Sequence, residues 1–167
     1  MRTSSLSSSI PFFLLGVFSL PLLGCGTTTT APGTSPPSGQ IDPAGIWIFN
    51  IRVTVATGIC AGEEGDSSAF PITITKTGEA PPYQVTARGF LGVETNMLTG
   101  TFDANNRLLL NSGSYPEEDG VTTPVHDLTA TSESQMTGTE TWNFQNSQGS
   151  CPGSESSVTA TFVARVG

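Results

Sequence analysis

The 167-residue sequence has little charge, and above all little positive charge. Lysine and arginine together number six against fourteen aspartates and glutamates, and charged residues make up only 12% of the chain. The resulting net charge of −8 argues against a nucleic-acid-binding surface, because neutralising phosphates requires a basic surface. We therefore expect no nucleic-acid partner.

The sequence contains a single histidine, His126, which limits the acid–base chemistry available to it. Its neighbour Asp127 would point to the opposite face of a strand, so the two do not form a catalytic pair by themselves. No serine stands in a nucleophile-elbow context. We interpret His126 as a surface residue of a strand and predict that the protein is not an enzyme.

Metal-binding motifs are also missing. None of the three cysteines has the C-x-x-C spacing of a zinc site. Two acidic groups, Glu63/Glu64/Asp66 and Glu117/Glu118/Asp119, are rich in oxygen ligands for Ca²⁺, but neither has the spacing of an EF-hand. We interpret both groups as solvated acidic loops and predict no metal and no cofactor.

The longest apolar run, residues 10–23, is too short to span a membrane but fits the core of a signal peptide that starts with Arg2. It leads into Leu22-Leu23-Gly24-Cys25, which resembles the lipobox of bacterial lipoproteins. The resemblance implies a signal peptide at 1–24 and lipidation, including palmitate, at Cys25. It places the protein in the cell envelope, in the outer membrane if the host is Gram-negative. An ordinary signal peptide cleaved nearby is the alternative.

The segment after Cys25 is predicted to be a tether. Residues 26–40 contain no charge and no large apolar side chain, so they cannot bury enough surface to offset their chain entropy. Together with the lipidated cysteine they form a predicted disordered stretch at 25–40. The remaining residues, 41–167, are predicted to form one domain, which we expect to be monomeric.

Alternation of apolar and polar residues dominates this domain and predicts an all-β, antiparallel fold. Long connections alternate with short ones, so an up-and-down meander gathers all the long loops at one end. This arrangement favours an eight-stranded, lipocalin-like barrel with an open mouth, and a two-sheet sandwich is the alternative. The eight predicted strands are roughly 47–55, 70–75, 83–88, 96–102, 107–111, 121–130, 135–144 and 158–164.

Cys60 and Cys151 offer a test of barrel closure. Cys60 follows the first strand and Cys151 precedes the last, so a closed barrel brings them together, whereas an open sheet holds them far apart. An exported protein meets an oxidising compartment. We predict a Cys60–Cys151 disulfide, although a two-sheet sandwich also permits one.

Gly45-Ile46-Trp47, at the start of the first strand, resembles the Gly-x-Trp motif of the lipocalin and avidin superfamily, the calycins. Those proteins are up-and-down barrels in which this tryptophan plugs the closed end. The family also places a basic residue late in the last strand, against the tryptophan. Arg165 is the candidate here, although strict alternation places it on the face opposite Phe162.

The candidate functional residues are those predicted to face the barrel interior. Glu140 lies on the apolar face of its strand, where a carboxylate is costly unless it is paired, hydrated or in contact with ligand. We predict binding of a small, largely apolar ligand in the barrel mouth. The alternative is a structural or protein-interaction lipoprotein, including a protease-inhibitor-like barrel, with a filled interior. The predicted ligand-lining residues are Trp47, Phe49, Val85, Phe102, Glu140, Trp142 and Phe162.

Overall fold

A computed structural model describes residues 39–166. The predicted signal peptide at 1–24, the predicted lipidation site Cys25 and all but the last two residues of the predicted tether lie outside the described residues. The described part of the chain contains no helix long and apolar enough to cross a membrane.

The described chain consists almost entirely of β-strands, joined by turns and two three-residue 3₁₀ helices at Gly58–Cys60 and Phe90–Gly92. There are ten strands in the described chain. In chain order they are β1 (Gly45–Val55), β2 (Ser67–Thr77), β3 (Tyr83–Arg88), β4 (Met97–Phe102), β5 (Arg107–Ser112), β6 (Tyr115–Pro116), β7 (Gly120–Ser132), β8 (Gln135–Asn146), β9 (Gly149–Ser150) and β10 (Ser154–Ala164).

The eight long strands close into an antiparallel barrel. Around the barrel the order is β1, β2, β3, β4, β5, β7, β8 and β10, and β10 pairs with β1 from Ala164 opposite Ile46 to Glu155 opposite Val55. The two-residue strands β6 and β9 pair with β7 and β8 inside long connections. The predicted eight-stranded barrel is confirmed, and the sandwich alternative is not adopted.

The predicted alternation places the apolar side chains inside the barrel. In β7, for example, every second residue from Thr122 to Ala130 is buried and the residues between them face outward. A fully buried Leu or Ile contributes about 1.5–3 kcal/mol relative to an exposed one, so the inner faces hold the strands together. One apolar core draws buried side chains from all eight long strands.

The short-turn end of the barrel is closed by Trp47. Its side chain is fully buried, its Nε1 donates a hydrogen bond to the Pro43 carbonyl at 2.9 Å, and its ring meets the edge of Phe162 with 5.2 Å between centroids. Gly45 has a φ of +149°, and a Cβ there would lie only 2.7 Å from the Ala164 carbonyl oxygen. The Gly-x-Trp spacing thus has a steric cause in this chain.

Arg165 lies over Phe162 rather than over the tryptophan. The guanidinium carbon is 4.9 Å from the centre of the Phe162 ring, and Nη1 donates to the carbonyls of Asp42 and Ala44 at 3.0 and 2.7 Å. The expected contact of Arg165 with Trp47 therefore needs correction, because Phe162 lies between them and packs on both.

The chain enters the barrel at this closed end. The Ile41 amide and the Gln40 side chain both donate to Asn106 Oδ1, in the short β4–β5 turn, at 2.9 and 3.0 Å. Asp42 pairs with Lys76 at 2.9 Å. Burial opposes ionisation of Asp42, but the Ala44 amide and the Lys76 ammonium outweigh it and lower the pKa of the carboxyl. Residues 39–44 therefore form an attached cover over the closed end.

The opposite, open end carries the four long connections, residues 56–66, 89–96, 113–119 and 147–153. Cys60 in the first and Cys151 in the last are joined by a disulfide, with 5.6 Å between their Cα atoms. The predicted bridge is confirmed, and it joins the loops that flank the β1–β10 pairing.

Candidate functional site: a cavity at the open end

A cavity of about 430 Å³ opens at the long-loop end of the barrel. Every long connection contributes to its lining: Glu63 from the first, Leu91 from the second, Glu117 from the third and Gln148 from the last. The strands contribute inward-facing residues near their open ends, and Glu140 is among them. The predicted mouth at this end therefore contains real space.

Trp142 forms part of the wall. It packs in a small apolar cluster with the Cys60–Cys151 disulfide, and Phe144 lies against the same cluster. Its indole Nε1 donates a hydrogen bond to the Ser156 hydroxyl at 3.0 Å. The disulfide and this hydrogen bond fix the indole at the edge of the cavity, which lowers the entropy a ligand contact would cost.

Tyr115 forms the floor of the cavity, and Phe90, which folds inward from the second long connection, packs against it in the core. Phe90 is fully buried and stacks on Tyr115, with 5.8 Å between the ring centres. The buried side-chain amide of Asn96 donates to the Phe90 carbonyl at 3.0 Å and holds this loop inside the barrel. Gly89 permits the inward turn with a φ of +103°, where a Cβ would lie 2.6 Å from the Pro71 carbonyl oxygen.

His126 lies beneath this floor, inside the barrel. Its side chain is 0% exposed and is enclosed by Phe49 and Phe90, with ring centres 5.9 and 5.1 Å away. The prediction that His126 is a surface residue is wrong, because it shares the inward parity of Leu128 and Ala130 on β7. Asp127 therefore faces outward, contrary to what a surface His126 implied, and pairs there with Arg107.

Glu140 and His126 are neighbours across β8 and β7. Oε1 of Glu140 lies 3.4 Å from Nε2 of His126, and neither ring nitrogen of the histidine has a hydrogen-bond partner among the described residues. Burial lowers the pKa of His126 to about 3. Burial also raises the pKa of Glu140 to about 7. The negative charge of Glu117 adds to this rise, whereas a hydrogen bond with the Ser156 hydroxyl opposes it. Both groups are thus driven toward their neutral forms.

The prediction that Glu140 faces the interior is confirmed. Its side chain is only 6% exposed, yet it lines the cavity. Glu140 has a neighbour on each adjacent strand. Ser156 on β10 lies opposite it on one side, and His126 on β7 lies opposite it on the other. The carboxyl therefore stands between a hydroxyl and an imidazole, and the histidine has no direct path to the serine. A serine-nucleophile triad needs the reverse order, with the imidazole in the middle.

Three further carboxylates surround the mouth: Glu63, Glu117 and Asp119. Glu117 accepts a hydrogen bond from the Thr122 hydroxyl, and Asp119 accepts one from Asn146 at 3.1 Å. Burial, Glu117 and Asp66 all raise the pKa of Glu63. The predicted acidic groups are thus at the mouth. Within residues 39–166 no three histidine, cysteine or acidic side chains are grouped closely enough to hold a metal ion.

The seven predicted ligand-lining residues fall into two sets. Glu140 and Trp142 line the cavity. The other five do not, because four fill the hydrophobic core below it and the fifth packs on Trp47 at the closed end; their inclusion in the lining is corrected. These five are Trp47, Phe49, Val85, Phe102 and Phe162.

The residues of the site that were missed in the sequence include Phe90, Tyr115 and His126. Phe90 and Tyr115 lie in connections, where alternation assigns no inside or outside. His126 did carry a signal, since Leu128 and Ala130 follow it at intervals of two.

Comparison of the chain with protein-family models, with curated proteins and with solved structures found no match.

Proposed function

We propose that this protein is an exported, lipid-anchored envelope protein that binds a small, largely apolar ligand in the open end of its barrel. The observation that carries the proposal is the cavity. Its volume of about 430 Å³ falls in the range of small-molecule sites, and four aromatic side chains contribute to its lining.

The lining is mixed, and its apolar part supports a ligand with an apolar body. Trp142, Phe70, Tyr115 and Phe144 present rings to the cavity, and Ile51 and Val53 add aliphatic surface. Contact with such a wall removes apolar area from water, which stabilises a complex by about 25 cal/mol per Å² buried. The alternative, a structural or protease-inhibitor-like barrel, requires a filled interior, and the cavity favours ligand binding over it.

Binding is tested with Nile red, a neutral dye whose fluorescence rises in apolar surroundings. We expect the purified, disulfide-bonded protein to bind it and Trp142→Ala to weaken binding about ten-fold or more, because the variant removes a fixed ring from the wall.

Phe162→Ala is the matched control, since it removes a ring at the closed end, outside the cavity. It should leave dye affinity unchanged while circular dichroism shows both variants folded. A folded wild-type protein that binds no dye would refute the ligand-binding role.

The anchor is proposed from Leu22-Leu23-Gly24-Cys25 and the apolar run before it. In a bacterial host we expect the protein to fractionate with membranes and Cys25→Ser to release it, because the acylated thiol is lost. Mass spectrometry of the N-terminal peptide should show the acyl chains. An unmodified Cys25 would contradict the anchor.

A further inference from the structure

The cavity is negatively charged as well as aromatic. Four carboxylates line it, those of Glu63, Glu117, Asp119 and Glu140. Among the described residues, no lysine, arginine or histidine lines it. A low-dielectric cleft lined by one sign of charge concentrates ions of the opposite sign. The lining therefore favours a cationic occupant over an anionic one.

The deepest of these carboxylates lacks a cation of its own. The Glu140 side chain is only 6% exposed, and it lines the cavity. It forms no ion pair with a lysine or arginine of the described chain. The nearest basic nitrogen is Nε2 of His126 at 3.4 Å. That ring is fully enclosed and has no hydrogen-bond partner, and burial lowers its pKa to about 3, so it supplies no positive charge near neutral pH.

The carboxylates also act on one another. Burial raises the pKa of both Glu63 and Glu140, and the charge of Glu117 adds to the rise in each. Like charges held around one space repel, and that repulsion is relieved when a cation enters. The clustered carboxylates therefore destabilise the protein without a ligand and stabilise its complex with a positive ligand.

The remaining lining selects among cations. Trp142, Tyr115, Phe70 and Phe144 present aromatic rings, which attract ammonium groups through their π faces and contact apolar bodies. A divalent metal ion instead needs several oxygen ligands at short range, and the described residues offer no group of three suitable side chains. A carboxylate deep in an aromatic cup suits an organic ammonium.

We propose that the cavity selects an organic monocation, an amine with an apolar body, whose ammonium group pairs with Glu140 while its body lies against Trp142 and Tyr115. This inference rests on the proposed ligand-binding function and specifies the charge of its ligand.

The test uses three probes that share one fluorophore and differ in charge: dansylcadaverine, which is cationic, dansyl amide, which is neutral, and dansylglycine, which is anionic. Each is titrated into the purified full-length protein with its disulfide intact. We expect the affinity of dansylcadaverine to be at least roughly ten-fold higher than that of dansyl amide, because its ammonium group can form a charge-assisted hydrogen bond. Dansylglycine should bind most weakly.

Glu140→Gln keeps the shape of the side chain and removes its charge. It should abolish the preference for the cationic probe while binding of dansyl amide stays within about two-fold. The matched control is Glu155→Gln, which removes the same charge from the exposed outer face beside Ser156. It should retain the preference.

A second measurement needs no variant. Dansylcadaverine stays protonated near neutral pH, as a lysine does. Its affinity should therefore rise between about pH 5.5 and about pH 8.5 as Glu140 ionises, whereas the affinity of dansyl amide should not. This comparison decides the question if Glu140→Gln does not fold.

The outcomes separate the two proposals. Equal binding of all three probes, a preference for dansylglycine, or an unchanged preference in Glu140→Gln would overturn the cation site and leave apolar-ligand binding intact. Displacement of dansylcadaverine by micromolar Ca²⁺ would assign the carboxylates to a metal and overturn it as well. Absence of binding by every probe to the folded protein would overturn both proposals.

Discussion

The two ends of the barrel are built from the same alternating strands but differ in their contents. At the closed end Trp47 and Phe162 fill the interior, and the entering segment, residues 39–44, is held there by Asn106 and by Arg165, which follows β10. At the open end the interior is a cavity of about 430 Å³ with a deep carboxyl, Glu140. The strands alone do not make this difference. It arises from the connections, which are short turns at one end and long loops at the other.

The ends also differ in charge. The closed end balances Asp42 against Lys76 and Arg165 in a single network. The open end gathers four lining carboxylates with no basic side chain of the described chain among them. Balanced charge stabilises a fold, whereas uncompensated charge favours a partner of opposite sign. The comparison assigns stability to one end and binding to the other, and three predictions test that assignment.

The largest expected effect is at the closed end. Trp47→Ala should lower the free energy of unfolding by about 3–5 kcal/mol, because it leaves a cavity in the filled half of the barrel and removes the partner of Phe162. Urea denaturation measures this loss. Trp142→Ala, at the edge of existing space, should cost clearly less. Equal losses would show that the open end is part of the stabilising core.

Removing the disulfide should have an intermediate effect. The double variant Cys60→Ala/Cys151→Ala should lose about 2–4 kcal/mol of stability, because the bridge restricts a long loop in the unfolded chain. The barrel should stay closed, since β1 and β10 pair along most of their length. Hydrogen exchange should therefore accelerate in residues 56–66 and not in β1. Loss of protection throughout β1 would mean that the bridge, rather than strand pairing, closes the barrel.

The smallest effect has the opposite sign. The pKa of Glu140 is about 7 in the folded protein against an ordinary 4.5, so the folded state binds its proton more tightly. Its contribution to the free energy of unfolding therefore falls as pH rises from about 4.5 to about 7. Glu140→Gln should be about 1–3 kcal/mol more stable than the wild type near pH 8, and the difference should vanish near pH 4.5.

Comparing the wild type with Glu140→Gln separates the titration of Glu140 from that of the other titratable groups around it. These are His126 on β7, Tyr115, Glu117 and Asp119 in the third connection, and Glu63 in the first. His126 acts in the other direction: its lowered pKa reduces stability as pH falls below 6.5 toward about 3, in both proteins. A Glu140→Gln variant less stable than the wild type near pH 8 would show that the carboxylate supports the fold.

The strands and the disulfide could be predicted from the sequence, because they depend on the alternation of apolar and polar residues and on the order of the strands along the chain. All eight long strands were predicted from alternation, and Glu140 was placed inside because Trp142 shares its parity. The positions of Cys60, after the first strand, and Cys151, before the last, favoured closure, although they also allowed a two-sheet sandwich. These inferences need only a residue's face and its strand.

The contents of the cavity were less accessible because they depend on height within the barrel and on loop conformation. Trp47, Phe102 and Phe162 lie near short turns, and that position already separates them from the mouth. Phe90 and Tyr115 fold inward only because their loops do, through the buried amide of Asn96 and the pairing of β6 with β7. No periodicity encodes such contacts.

The pairing of β1 with β10 has a consequence for biogenesis. The first strand of the domain forms its hydrogen bonds with the last, about a hundred residues later, so the sheet has free edges until the whole chain is available. Exposed strand edges are templates for association with other chains. A chain that stops before Ser154 should therefore aggregate rather than fold partially, so the domain should fold only once its last strand is available.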